Sequence, residues 1–294
     1  MRRKFRKNWP AVLLATLFSI SAAAEDLSPL DRLKMALDSG NVSISIQKAW
    51  LSKDRDTAFQ TIYDAATKGD PSAANLMGVI YDSGRWGMQK RPEMALRWFE
   101  KAAPKNGYAA YNMGVMWVTG RAGSINAEKA AKYFEDGWGK SPVPQAAVRL
   151  AHFYYGRGDL KNAWKWAVIA KNNTPKYGAY IAGRILMEGG PVHRDFYLAT
   201  QEFQRAEEAY SAPAARALSL IYGSGEPGVE KNAVQAYAQD VIANGIEGQQ
   251  APSNWEGGLS DDDRHRGKSF GENWLLTHQR PASVDYTNTL SGLD

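Results

Sequence analysis

No cysteine occurs in the 294-residue chain, and only four histidines do. The first absence excludes disulfide staples, thiolate chemistry and a lipid anchored through an N-terminal cysteine, so apolar packing has to hold the fold. The histidines, His152, His193, His265 and His278, lie too far apart for a zinc-ligand spacing, and no metal and no cofactor is expected. Long hydrophobic runs are missing as well. The apolar stretch from Ala11 to Ile20 is half the roughly 20 residues that a membrane-spanning helix needs. A surplus of one charge is missing too, once the N-terminus is set aside. The formal net charge is +5, but Arg2, Arg3, Lys4, Arg6 and Lys7 account for all of it, and 31 basic residues face 31 acidic ones in the rest. A neutral body removes the whole-chain argument for a nucleic-acid partner or an acidic membrane surface.

What is present begins with that N-terminus. A basic start, an apolar run and small residues, with Ala22 and Ala24 placed for cleavage before Glu25, read as a secretory signal over residues 1–24. The expectation is an exported chain, periplasmic or secreted, without a stable membrane anchor. The pair Arg2–Arg3 partly resembles a twin-arginine signal; ordinary export is preferred, because nothing later in the chain points to a cofactor.

The body is organised by repetition. AANLMGVIYDSG surrounds Gly78, AAYNMGVMWVTG surrounds Gly114, AYIAGRILMEG surrounds Gly183 and AARALSLIYGSG surrounds Ser219, with a looser copy, AAVRLAHFYYGRG, around Ala151. The small residues are spaced by 36, 37, 32 and 36 positions. Trp98, Phe134 and Phe203 each follow a small residue by 20 positions, which marks a second, amphipathic segment per unit. Each unit therefore reads as two helices. The small residue lets a neighbouring helix approach, and this outweighs the roughly 1 kcal/mol that a helical glycine costs. Pro92 suits a first helical position, Asn126, Asp195 and Asn232 suit N-caps, and Gly69, Gly107, Gly137 and Gly245 stand where second helices are expected to stop. The third copy drops about four residues from its turn, which predicts tighter pairing there.

The order small–Leu/Met–Gly, then Tyr, then Gly, then Ala and an aromatic resembles the Sel1-like repeat, a relative of the tetratricopeptide repeat with a longer, glycine-rich turn. The resemblance covers about Ala58 to Gly245. It implies an all-α fold, a right-handed α-solenoid of stacked antiparallel helix pairs. The division follows: residues 1–24 a signal, 25–57 an N-terminal capping region with a helix over 27–40, 58–247 the repeat solenoid, and 248–294 a tail that caps the stack or is partly disordered. The cluster Trp274–Leu275–Leu276 is the part of that tail suited to docking.

No G-x-S-x-G elbow and no P-loop appears, and GSGEPG at Gly223 recurs at the repeat period as an interhelix turn. Asp261, Asp262 and Asp263 read as a solvated helix start. Repeat architecture favours binding another protein, and the chain is expected to be no enzyme. Exported relatives of this kind act as regulators of envelope sensors, as secretion scaffolds and as immunity proteins against toxins, so an envelope regulator, a secretion component or a toxin is the implied partner. Cysteine-rich relatives are associated with β-lactam binding or hydrolysis, but the paired cysteines that mark them are absent here. An envelope hydrolase and a cell-wall glycan binder remain alternatives. Trp86 and Trp138 fall outside the repeat pattern, and Arg85 and Arg121 follow the turn glycines in consecutive copies. These four are the candidate partner-binding residues.

Overall fold

Side-chain caps set most of the helix starts. Asp54, Asp70, Asn106, Asn126, Asp159, Asp195, Asn232 and Ser260 each accept a hydrogen bond from a backbone N–H two or three residues on, satisfying a donor that has no intrahelical partner. Pro71, Pro92 and Pro175 occupy first-turn positions, where the missing N–H costs nothing. The three N-caps and Pro92 expected from the sequence stand in those roles. Asn126→Ala is therefore expected to cost about 1 kcal/mol in denaturant unfolding, and Asn126→Asp to cost little.

The structure is a computed structural model that describes residues 43–278 apart from residue 53. The signal segment, the helix expected over 27–40 and the chain beyond residue 278 lie outside the described residues. Among the described residues there are thirteen α-helices and no strand. Each helix packs chiefly against its neighbours in the chain.

The packing divides into two units, and the division falls between Leu150 and Ala151. The first unit holds α1 (Ile44–Trp50), α2 (Arg55–Thr67), α3 (Pro71–Ser83), α4 (Pro92–Ala102), α5 (Gly107–Val118), α6 (Ala127–Trp138) and the start of α7 (Pro144–Gly156). The sequence pattern did not single out α1, whereas α2 is the second helix of the degenerate early repeat. Leu76, Met77, Ile80, Phe99, Met113 and Met116 form the centre of its core. Between the first helices of two successive copies, Asn112 on α5 donates to Asn75 on α3 at 3.0 Å, both buried.

The second unit holds the end of α7, α8 (Leu160–Asn173), α9 (Pro175–Glu188), α10 (Phe196–Glu208), α11 (Ala212–Ser224), α12 (Ala233–Glu247) and α13 (Asp261–Thr277). Its buried side chains include Ile181, Ile185, Phe203, Leu218, Ile221 and Ile242. α13 lies on α12, with Gly267 and Gly271 allowing the approach and Trp274 buried at its end, while Leu276 remains exposed.

One backbone bond recurs in every copy. The N–H of the residue before the second helix donates to the carbonyl three positions after the small residue: Arg91 to Tyr81, Asn126 to Trp117, Asp159 to Tyr154, Asp195 to Leu186 and Asn232 to Tyr222, at 2.7–3.0 Å. The turn it closes spans ten, nine, five, nine and ten positions in turn. The third copy thus keeps the bond through a turn about half as long, which accounts for the residues missing from its sequence.

The structure corrects one expectation and sharpens another. The aromatic that lies on the small residue is Phe99 in the first copy, not Trp98. A Cβ on Gly78 would strike the Phe99 ring and one on Gly114 the Phe134 ring, while one on Gly183 would fall 2.8 Å from Phe203. The first turn is one residue longer than the second, and one residue turns a helix face by about 100°. Trp98 is still buried, but edge-on to Tyr63 of α2 at 5.9 Å. Of the four stop glycines, only Gly69 has a left-handed φ, at +93°. Gly107, Gly137 and Gly245 lie inside α5, α6 and α12 and serve close contacts: a Cβ on Gly107 would sit 2.6 Å from the Gly137 carbonyl oxygen, and one on Gly245 would strike the Leu275 side chain. α12 ends instead at Gly248, φ +66°.

Candidate partner-binding face

The first interhelix turn is built around unusual backbone. Gly84 ends α3 in the left-handed region, and Trp86, two residues on, has φ +59° and ψ +28°. A non-glycine residue pays about 1 kcal/mol or more for that conformation. Trp86 is half-buried, tilted against Trp50 of α1 with ring centroids 5.4 Å apart. The Arg85 guanidinium stands over the Trp50 ring at 4.3 Å and over Trp86 at 5.3 Å, so a cation and two indoles make one cluster.

Arg121 opens the second turn. Its guanidinium reaches back to the first copy and binds both oxygens of Asp82 at 2.6 and 2.7 Å, while its Nε donates to Thr119 at 3.0 Å. The Asp82 side chain is buried, so one guanidinium nitrogen, Nη1, bridges both carboxylate oxygens on the inside of the turn edge and ties two repeats together. Arg85, Trp86 and Arg121 therefore lie along one edge of the first unit. Trp138 does not join them. It is half-buried at the far end of α6, roughly 18 Å along that helix from Asn126.

Several contributors to this edge escaped the sequence pattern. Trp50 belongs to α1, which no repeat period marks. Ile125, just before the Asn126 cap, is 72% exposed and lies on the same edge. Asp82 did leave a signal. It stands four positions after Gly78, where later copies carry Val118, Tyr155, Met187 and Gly223, so a carboxylate there breaks an uncharged position.

The second unit has a polar cluster of its own. The Tyr155 hydroxyl donates to Glu188, Arg184 donates to the Tyr180 hydroxyl at 3.2 Å, and Arg184 pairs with Glu188 at 3.7 Å. Burial pushes the Tyr155 phenol well above its ordinary range, so it stays a proton donor at every physiological pH. The cluster satisfies itself and locks α7 to α9. Tyr197 and Leu198, at the start of α10, are the exposed apolar residues of this unit's turn edge. Among the described residues, no group of three or more His, Cys, Asp or Glu side chains is placed to hold a metal ion, and no helix is long and apolar enough to cross a membrane.

Comparison with known proteins fits this geometry. A family model described as Sel1 repeat matches residues 71–104, 107–135 and 212–238. Among solved structures, the chain is similar to a protective antigen of uropathogenic Escherichia coli strains displaying an SLR fold: 20% identity, TM-score 0.66, covering 90% of this chain and 56% of that one. It is also similar to a Sel1 repeat protein from Oxalobacter formigenes: 20% identity, TM-score 0.57, covering 82% of this chain and 99% of that one. This chain thus spans 56% of the length of the E. coli antigen, and at such identities the likeness is one of fold. The copies around Ala151 and Gly183 fall outside the matched segments yet keep the turn-closing bond. Three segments of the chain match the Sel1 repeat, and its helices pack in adjacent pairs as in the α-solenoids it is similar to, an architecture typical of protein–protein interaction modules.

Proposed function

We propose that this chain is an exported, periplasmic protein-binding solenoid that acts as a stoichiometric regulator or adaptor, with neutralisation of an antibacterial toxin as its specific form. The observation that carries the binding role is Trp86. It is held in a strained backbone conformation on a turn that hydrogen bonds fix, beside Arg85 and on the same edge as the exposed Ile125. Strain of this kind persists where the surrounding structure over-determines it, and it concentrates at sites used for recognition. A rigid stack that presents differing turn side chains is also what a binding surface requires, because little ordering entropy is lost on contact. Support for export comes from the tripartite N-terminal segment ahead of Glu25.

The test is affinity capture by the mature chain from a periplasmic extract. The expected result is one protein retained at about equal stoichiometry, with recovery falling at least about tenfold for Trp86→Ala, an anchor-residue effect, while circular dichroism shows the variant folded. Unchanged recovery would remove the first turn from the interface. N-terminal sequencing of the periplasmic fraction is expected to begin at Glu25; recovery of the whole chain in the cytoplasm would overturn export. If deletion of the gene changes signalling alone and sensitises cells to no toxin, the immunity form is wrong and the regulator form stands.

A further inference from the structure

In the second unit, Glu207 on α10 is 4% exposed and Gln239 on α12 is 3% exposed, and they face each other beside α11. The Gln239 amide donates to the Glu207 carboxylate, yet Oε1 of Glu207 and Oε1 of Gln239 are both buried without a donor. Two buried acceptor oxygens without a donor are costly, since each loses its water and gains nothing. A proton on Glu207 removes the buried charge and turns one of its oxygens from an acceptor into a donor beside Gln239. We propose that Glu207 is a proton-operated latch between α10 and α12, closed when the carboxyl is protonated and weakened when it ionises.

The surroundings favour the neutral form. On its own helix the nearest charge is Glu208, a like charge that opposes ionisation. From α11 comes Tyr222, whose hydroxyl accepts from Gln204 at 3.2 Å. From α12 comes the uncharged Gln239. From α9, Arg184 and Glu188 are engaged with Tyr180, Tyr155 and each other. Burial, with Glu208 adding to it against the Gln239 bond, moves the carboxyl from its ordinary 4.5 up to about 7. A raised carboxyl pKa means that the folded chain holds a proton that the unfolded chain has released. The stabilisation is then complete below pH 4.5 and is lost as the pH rises through 7. The full loss is up to roughly 300-fold in the folding equilibrium constant, a tenfold factor for each pH unit between the two values.

Denaturant unfolding of the full mature chain from pH 5 to pH 8, wild type against Glu207→Gln, tests this. Glutamine keeps the neutral shape and supplies an amide N–H toward Gln239. The variant is expected to gain on the wild type steadily as the pH rises, by more than roughly tenfold in the equilibrium constant at pH 8. Parallel pH profiles for the two proteins would overturn the latch. If the variant does not fold, the carboxyl carbon of Glu207, followed by NMR in the wild type, decides the matter. A midpoint near 7 supports the latch, and one near 4.5 removes it.

Discussion

Gly114→Ala is expected to destabilise the chain by about 2 kcal/mol, and the whole of that cost is expected to vanish when Phe134 is also replaced by alanine. The added Cβ would fall 2.6 Å from Phe134 Cδ1, well inside the roughly 3.5 Å at which carbon atoms rest. The ring cannot easily retreat, because it is buried, tilted against Tyr111 at 5.5 Å and covered by the Arg149 guanidinium at 5.9 Å. Overpacking of this kind costs about 1–3 kcal/mol or more. It outweighs the roughly 1 kcal/mol that alanine returns in helix propensity. Phe134→Ala alone is expected to cost about 3–5 kcal/mol by opening a cavity. In that background Gly114→Ala meets no ring and is expected to be neutral or to stabilise by up to about 1 kcal/mol. The third copy already carries this combination. Ala151 stands at the small position, and Ala167, eight residues after the Asp159 cap, stands where Phe99, Phe134 and Phe203 stand after theirs. Urea unfolding of the four proteins gives the coupling directly. An alanine that costs the same with and without the ring would show that the glycine serves something other than the aromatic approach.

That pairing explains which parts of the fold could be read from the sequence. Periodicity of small residues survives in the sequence because Gly78, Gly114 and Gly183 each answer a particular ring, so the register of the copies was plain. The caps Asn126, Asp195 and Asn232 were equally plain, since a cap acts on residues two or three positions away. What failed was anything that counts across a turn. A constant step of 20 from Gly78 lands on Trp98, whereas counting eight from the residue before each second helix lands on Phe99, Phe134 and Phe203 alike. The turn absorbs the odd residue without disturbing either helix, because its closing backbone bond tolerates spans from five to ten positions. Gly107 and Gly137 look like helix stops from composition alone. Only the crossing of α5 and α6 shows each resting on the other's carbonyl. At the candidate binding edge, Trp86 was visible as a departure from the repeat, and Arg85 and Arg121 as residues that recur after the turn glycines. Trp50 and the burial of Asp82 depend on contacts with other elements, which no local pattern records.

The same count of eight reaches Asp240 in the fifth copy, where an aromatic is due, and this makes Trp255 the most consequential residue of the C-terminal segment. Its indole lies across Gly223 so closely that a Cβ there would strike the ring, and its Nε1–H donates to the Ser219 hydroxyl at 2.9 Å. Ser219 is the small residue of that copy, so Trp255 covers from outside the repeat the position that α12 leaves without an aromatic. Asp240 helps to hold the covering loop by accepting from Ser253 at 2.6 Å, and Asn244 donates to the Ala251 carbonyl at 2.7 Å. A repeat stack needs the apolar face of its terminal copy closed. Trp255→Ala is expected to cost about 3 kcal/mol, the loss of a packed indole together with a buried hydroxyl stripped of its donor. Trp255→Phe keeps most of the area and is expected to lose only about 1 kcal/mol, the share of the hydrogen bond. Amide hydrogen exchange should place the damage in α11 and α12, with α5 and α6 left at wild-type protection. Equal unfolding midpoints for wild type and Trp255→Ala would mean that the fifth copy closes without the tail. An alanine variant that loosens α11 and α12 while Gly114 and its neighbours keep their protection would establish that the segment after Gly248 completes the last repeat.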